Sequence, residues 1–394
     1  MTDFEENAGI AGALLLAAIT ATGTLAIVLI PVIVDGLITG TGLPAQQAGM
    51  VVSCGAYGST GGTVLALIAN GRLPWRKLMV TLLVIMLLTD AISTRLGSFW
   101  SLLIARALHG LAAGFLTAIG YSLISRTTAR DRTFAFVFVT QSLIQGVALL
   151  FLPGLTVKHG AAPTFIFLVV ANLTALVALK WVPDPSQPYA HAGSRPSPLP
   201  RRARFLNWPA AIIPVLTAVL LFQAFNNALA TYLFDIGRTE GLSSDLIGRE
   251  LAISIWLSLG GGLLAAWLHI RFGRVGPLTA GLMVAGVSAV ALNTADGTLY
   301  LVANCGLAVT WTFVIAYLYG LGAALDPDGQ ATIAVTVMSK IGLACGPLVA
   351  AILLRGVDYN RIILVAVIGL VGVMLFIVPV AWRLDKVTSS SAAP

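Results

Sequence analysis

Residues 102–125 read LLIARALHGLAAGFLTAIGYSLIS, an apolar run of 24 residues with Arg106 and His109 set inside it. A helix of about 20 such residues crosses the hydrocarbon core of a bilayer. An arginine near the centre of such a helix costs on the order of 2.5–3.5 kcal/mol even on the lenient insertion scale, so something must compensate it. Arg106 lies roughly 12 Å from the nearer helix end at 1.5 Å per residue, too deep for its head to reach water easily.

The rest of the chain repeats this pattern. Of 394 residues, 58% are hydrophobic and only 10% charged, against about 25% charged in soluble domains. The apolar runs are helix-length and do not alternate over ten residues, so the sequence predicts an all-α integral membrane protein and no barrel. Twelve spans are predicted: 10–34, 44–69, 78–96, 98–125, 133–156, 161–182, 208–235, 244–270, 276–295, 297–324, 330–354 and 361–382. The first follows an acidic start, MTDFEENAG, without the basic segment of a cleavable signal, and is read as a spanning helix.

The net charge of +7 is a matter of topology, not of nucleic-acid binding. Placing both termini in the cytoplasm puts fifteen of the 23 Lys and Arg on inner segments and six on outer loops, as the positive-inside rule requires. We therefore expect a multi-pass protein of a bacterial inner membrane with both termini cytoplasmic, embedded in lipid and monomeric. Residues 183–207, rich in Pro, Ser and Arg, read as a cytoplasmic linker between six spans at 1–182 and six at 208–394. At a spacing of 199, Gly42-Leu43 falls on Gly241-Leu242, Gly61-Gly62 on Gly260-Gly261 and Arg72 on Arg271, while Asp35 and Asp235 each end the first span of their half. The halves thus read as pseudo-symmetric six-helix bundles.

Cys54, Cys305 and Cys345 all lie in apolar runs without metal or disulfide spacing. There is no G-x-x-x-x-G-K-[ST] loop and no H-E-x-x-H pair. No enzyme activity, cofactor or metal is predicted, and active transport would draw on an ion gradient.

Several stretches resemble the major facilitator superfamily of secondary transporters. In span four, Arg106, Gly110 and Gly114 match the family's arginine–glycine signature, with His109 where glutamine is common. After span eight, Arg271, Gly273 and Arg274 match its R-x-G-R loop, with Ala266 and Ile270 replacing the preceding glycine and aspartate. The loop after span two, NGRLPWRKLM, keeps Arg72, Arg76 and Lys77 only. Span five carries Gly146, Pro153 and Gly154 without the compact pattern of drug/proton antiporters, and span eleven carries Gly346-Pro347. The resemblance implies a cavity lined by the first, fourth, seventh and tenth helices, with a small-molecule substrate near the midplane.

Polar residues in the spans are the site candidates. Asp90, just before the turn that leads into span four, is placed to meet Arg106 at one level. Either the two form a permanent ion pair or a substrate carboxylate competes for the arginine. His109, able to titrate near neutral pH, is assigned with Arg106 to the substrate site, or is a packed neutral histidine. Lys340 is a second intramembrane cation, assigned to substrate or coupling or else to a structural pair, with Gln141 and Gln145 at its approximate repeat positions in span five as further substrate-site candidates. Gln223, Asn226 and Asn227 recur at helical spacing in span seven, and Trp311 and Tyr317 are candidates to complete the substrate site. Asp35 and Asp235, at span ends, are assigned with Asp90 to proton coupling or gating, or are solvated loop acids. These features predict a symporter of a small anionic or carboxylate-bearing solute, coupled to protons. Proton-driven multidrug efflux and a non-transporting receptor or assembly factor are the alternatives.

Overall fold

A computed structural model describes residues 3–69, 74–124, 130–182, 212–268, 271–325, 330–354 and 358–391. The linker expected at 183–207 and Arg72 lie outside these residues. The described chain is helical, with no β-strand beyond an isolated bridge between Arg271 and Gly273. Its contacts divide it into two compact units, Met1–Ser197 and Pro198–Pro394.

The first unit contains α1 (Asp3–Val28), α2 (Ile30–Thr41), α3 (Ala45–Ala69), α4 (Trp75–Ser93), α5 (Phe99–Ile124), α6 (Arg130–His159) and α7 (Ala162–Ala178). The second contains α8 (Ile212–Thr231), α9 (Leu233–Thr239), α10 (Ser244–Leu268), α11 (Val275–Ala291), α12 (Gly297–Leu325), α13 (Gln330–Leu353) and α14 (Asn360–Ser391). The first and seventh spans are each broken in two, so among the described residues fourteen helices make the twelve-helix fold. Both breaks have local causes. Pro31, in the first turn of α2, has no N–H for the carbonyl of Ile27 and its ring crowds that carbonyl. Before Tyr232, the Thr231 hydroxyl donates to Asn227 O at 2.6 Å, a back-bond of the kind that bends helices.

The two halves of the chain end these broken spans in the same way. Gly42 and Gly241 stand at φ +69° and +87°, the left-handed region in which glycine ends a helix without strain. Gly62 and Gly261, one spacing apart, are points of close approach in equivalent helix pairs. A Cβ would sit 2.0 Å from Leu111 O at the first and 2.1 Å from Val309 O at the second, whereas their neighbours Gly61 and Gly260 meet open space. The repeat is thus carried by backbone-to-backbone contact, as small residues permit between membrane helices.

Nine of the described helices are long and apolar enough to cross a membrane, and Ile30–Thr41 and Val275–Ala291 are shorter apolar helices. Large apolar side chains cover the outside: Leu263 and Leu375 are 72% exposed and Val287 is 70% exposed. So much exposed hydrocarbon is unfavourable in water and natural against lipid. The protein is a multi-pass integral membrane protein. Inside each unit lies its own apolar core, around Leu82, Met86 and Leu116 in the first and around Phe222, Leu318 and Val373 in the second.

Candidate functional site

In the first unit the costly arginine of α5 is met by α4 and α7. Arg106 Nη2 donates to Asp90 Oδ1 at 2.7 Å and to Ser93 Oγ at 2.8 Å. Asn172 Nδ2 donates to the other carboxylate oxygen at 2.9 Å. His109, one turn along α5 from Arg106, brings Nδ1 to 3.0 Å from Asp90 Oδ1, within ion-pair range though not aligned as a hydrogen bond. The guanidinium also stacks 4.8 Å over the Phe165 ring. Asp90 is 0% exposed, His109 2% and Arg106 3%, so the charges balance one another in an apolar interior and not through solvent. The hairpin placement anticipated for Asp90 and Arg106 is what the structure has.

The cluster is not saturated. Arg106 Nε and Nη1 and His109 Nε2 are buried without hydrogen-bond partners. Beside them lies a cavity of about 20 Å³, lined by Arg106, His109, Gly23, Ala26, Val52 and Ser59 among others. That volume accommodates about one water molecule and is far below the roughly 300 Å³ at which organic-ligand pockets begin.

The glutamines of span five serve α1. Thr24 Oγ1 donates to Gln141 Oε1 at 2.9 Å, and Gln145 Nε2 donates to Val28 O at 2.8 Å, beside the break before α2. Asp35 belongs to α2, which continues past the break with Asp35 among its buried residues. It is 0% exposed and accepts from Thr156 Oγ1 at 3.1 Å. Asp235 on α9 is likewise buried, with Arg238 Nη1 3.8 Å from its Oδ1. Neither is a solvated loop acid, because each broken span runs on by a further short helix that folds its acid inward.

In the second unit a different polar group forms. Trp311 Nε1 donates to Gln223 Oε1 at 2.7 Å, and Gln223 Nε2 donates to Ser339 Oγ at 2.7 Å. The indole is thereby fixed while remaining 36% exposed. Lys340 follows Ser339 on α13 and is partly buried. Asn226 Nδ2 donates to Phe222 O within α8, and Asn227 Nδ2 donates to Leu343 O on α13. Tyr317 packs on Phe313 at 5.1 Å and is buried. Gln223, Trp311 and Ser339 are thus brought together, with Lys340 next to Ser339 in the chain, whereas Asn226 is turned to a contact within its own helix.

Three participants were not singled out from sequence. Asn172 and Ser93 complete the shell of Asp90 and Arg106. Asp385, near the end of α14, supplies an acid where the R-x-G-R loop has Ile270 in place of aspartate. Its Oδ2 accepts from the backbone N–H groups of Arg274 at 2.7 Å and Val275 at 3.2 Å, and Oδ1 lies 3.2 Å from Arg274 Nη1. The carboxylate caps the N-terminus of α11, where free N–H groups and the helix dipole favour an anion. An amide inside an apolar span and an acid after the last span were the available signals.

Comparison with known proteins places this architecture. The profile of the Major Facilitator Superfamily matches residues 12–327. No curated protein matches the sequence. Among solved structures, the nucleoside transporter NupG (D323A mutant) is similar at a TM-score of 0.75 and 12% identity, covering 93% of this chain and 99% of that one. A D-xylose–proton symporter is similar at 0.70 and 15% identity over 93% and 96% of the two chains. A bacterial homologue of the human lysosomal transporter Spinster, inward-facing and unoccupied, is similar at 0.70 and 16% identity over 95% of each. At these identities the structures speak to fold, and the profile match over most of the chain settles the family. The chain belongs to the Major Facilitator Superfamily and is a secondary transporter.

Proposed function

We propose that this protein moves a small carboxylate-bearing solute across the membrane by alternating access, coupled to protons, with both termini on the cytoplasmic side. The observation that carries the coupling is the buried Asp90–Arg106–His109 cluster beside a cavity of about 20 Å³. An organic group does not fit there, but a proton carried by one water does. With Nδ1 turned to Asp90, His109 Nε2 is the ring atom left to exchange a proton with that water. Asp90 holds Arg106 and orients His109, so this cluster is assigned to the proton and not to the solute.

The solute is assigned to Lys340 together with the Gln223–Trp311–Ser339 group. A lysine in a spanning helix marks a functional position by default, and its positive charge suits a solute carboxylate. The Trp311 face, held by Gln223 and still partly exposed, suits the apolar part of such a molecule, and the Ser339 hydroxyl suits a polar one. The same amide and indole pattern favours a second reading, a neutral polyhydroxylated solute, in keeping with the xylose and nucleoside transporters of similar fold. Uptake into proteoliposomes driven by an imposed pH gradient, over a panel of carboxylates and sugars, tests both. The carboxylate reading expects uptake of at least one acid that falls at least tenfold in Lys340→Ala. Uptake of sugars alone, unchanged in Lys340→Ala, overturns it.

A further inference from the structure

Among the described residues of the second unit, one carboxyl is buried without any of the groups that normally hold an ionised one. Glu250, in the second turn of α10, is 4% exposed, and its Oε2 has no hydrogen-bond partner. Its other oxygen faces the first residue of α12, where a Cβ on Gly297 would lie 3.5 Å from Oε1. The donors nearby are committed elsewhere. Asp296 Oδ1 takes the N–H groups of Thr298 and Leu299 at the start of α12. The Tyr300 hydroxyl donates to Leu233 O at 2.7 Å, and Ser254 Oγ donates to the backbone carbonyl of Glu250, not to its carboxyl.

The charged and titratable groups around Glu250 are occupied elsewhere or turned away from it. Asp235 and Arg238 of α9 form their own pair, Asp296 and Tyr300 stand on or before α12, and Arg249 on the same helix is turned outward and exposed. Among the described residues Glu250 enters no ion pair. Nor do three His, Cys, Asp or Glu side chains converge there in the manner of a metal site. An unpaired carboxylate out of water carries a cost that a neutral carboxyl escapes.

We propose that Glu250 is a proton-binding site of the second unit, separate from the Asp90 cluster, and that it carries its proton whenever α10 and α12 are closed around it. Binding forms one O–H bond at Oε2 from a hydronium ion and leaves water, with no electrons exchanged. Opening of the α10–α12 contact at this end wets the carboxyl and releases the proton. The site is the same whichever solute is carried.

Infrared spectroscopy of the purified full-length protein in detergent tests the proposal. The carbonyl stretch of a protonated carboxyl, shifted on exchange from H2O into D2O, is expected in the wild type, absent in Glu250→Gln and retained in Asp235→Asn. The neutral isostere is also expected to melt within about 2 °C of the wild type, since it replaces one neutral group by another. Should Glu250→Gln fail to fold, Glu250→Asp is expected to keep the band at an altered frequency. A band unchanged in Glu250→Gln, lost in Asp235→Asn alone, or missing from the wild type or from Glu250→Asp overturns the proposal.

Discussion

Replacing Asp90 by Asn leaves Arg106 buried without its anion, and the size of the effect follows from the geometry. Among the described residues Asp90 is the acid in ion-pair contact with Arg106, and the guanidinium is 3% exposed with Nε and Nη1 already unpartnered. Removing one partner of a buried ion pair costs about 3–5 kcal/mol, because the remaining charge stays desolvated. The first unit is 197 residues, a size at which 1 kcal/mol moves the melting temperature by roughly 2–4 °C. The predicted fall is therefore about 6–20 °C, read by intrinsic-fluorescence melts of the detergent-solubilised protein. Replacing both members, Asp90→Leu with Arg106→Met, removes the stranded charge and should recover more than half of that loss. An Asp90→Asn protein that melts within about 1 °C of the wild type, or a double variant less stable than the single one, would refute the claim that this pair compensates the buried arginine.

Other consequences are as direct. Gly114→Ala places a Cβ 1.9 Å from Ser59 O, a backbone atom, whereas Gly61→Ala meets open space. The first should abolish a monodisperse folded peak in size-exclusion chromatography and the second should leave it intact. Asp385→Ala removes the cap of α11 and should cost about 0.5–2 kcal/mol, with a matching fall in melting temperature that Asp385→Asn partly restores. Gln223→Ala unties Trp311 from Ser339 and should raise the KM for whichever solute is transported while changing folded stability by less than Asp90→Asn does.

Much of the fold was legible because lipid imposes it. Where no water is at hand to satisfy the backbone, apolar runs of this length have few structures open to them, and the recurrence of Gly42 at Gly241 and of Gly62 at Gly261 marks the duplication. Arg106 was legible for the same reason, since an intramembrane charge demands a partner and Asp90 lies close by across a short turn. The partners that arrive from distant helices were not. Asn172 is 82 residues from Asp90 and Asp385 is 111 from Arg274, and no local pattern reports which helix faces which. The break at Tyr232 was hidden too, because apolar sequence runs unchanged through it, and the break at Leu29 was marked only by Pro31 inside an apolar run. For that reason Asp35 and Asp235 read as span ends, although the short helices after the breaks bury them. Glu250 directly follows an arginine in sequence, and only the packing of α10 against α12 separates the exposed Arg249 from the buried acid beside it.

The central claim is that transport is coupled to protons through His109 held against Asp90. The direct measurement is proton movement, followed with a pH-sensitive dye inside proteoliposomes, on adding a transported solute to wild-type protein and to His109→Gln. The account predicts a solute-dependent change of internal pH in the wild type that falls at least tenfold in His109→Gln, while counterflow exchange of the solute persists. Solute movement without any proton movement in the wild type, or an undiminished proton signal in His109→Gln, would contradict it.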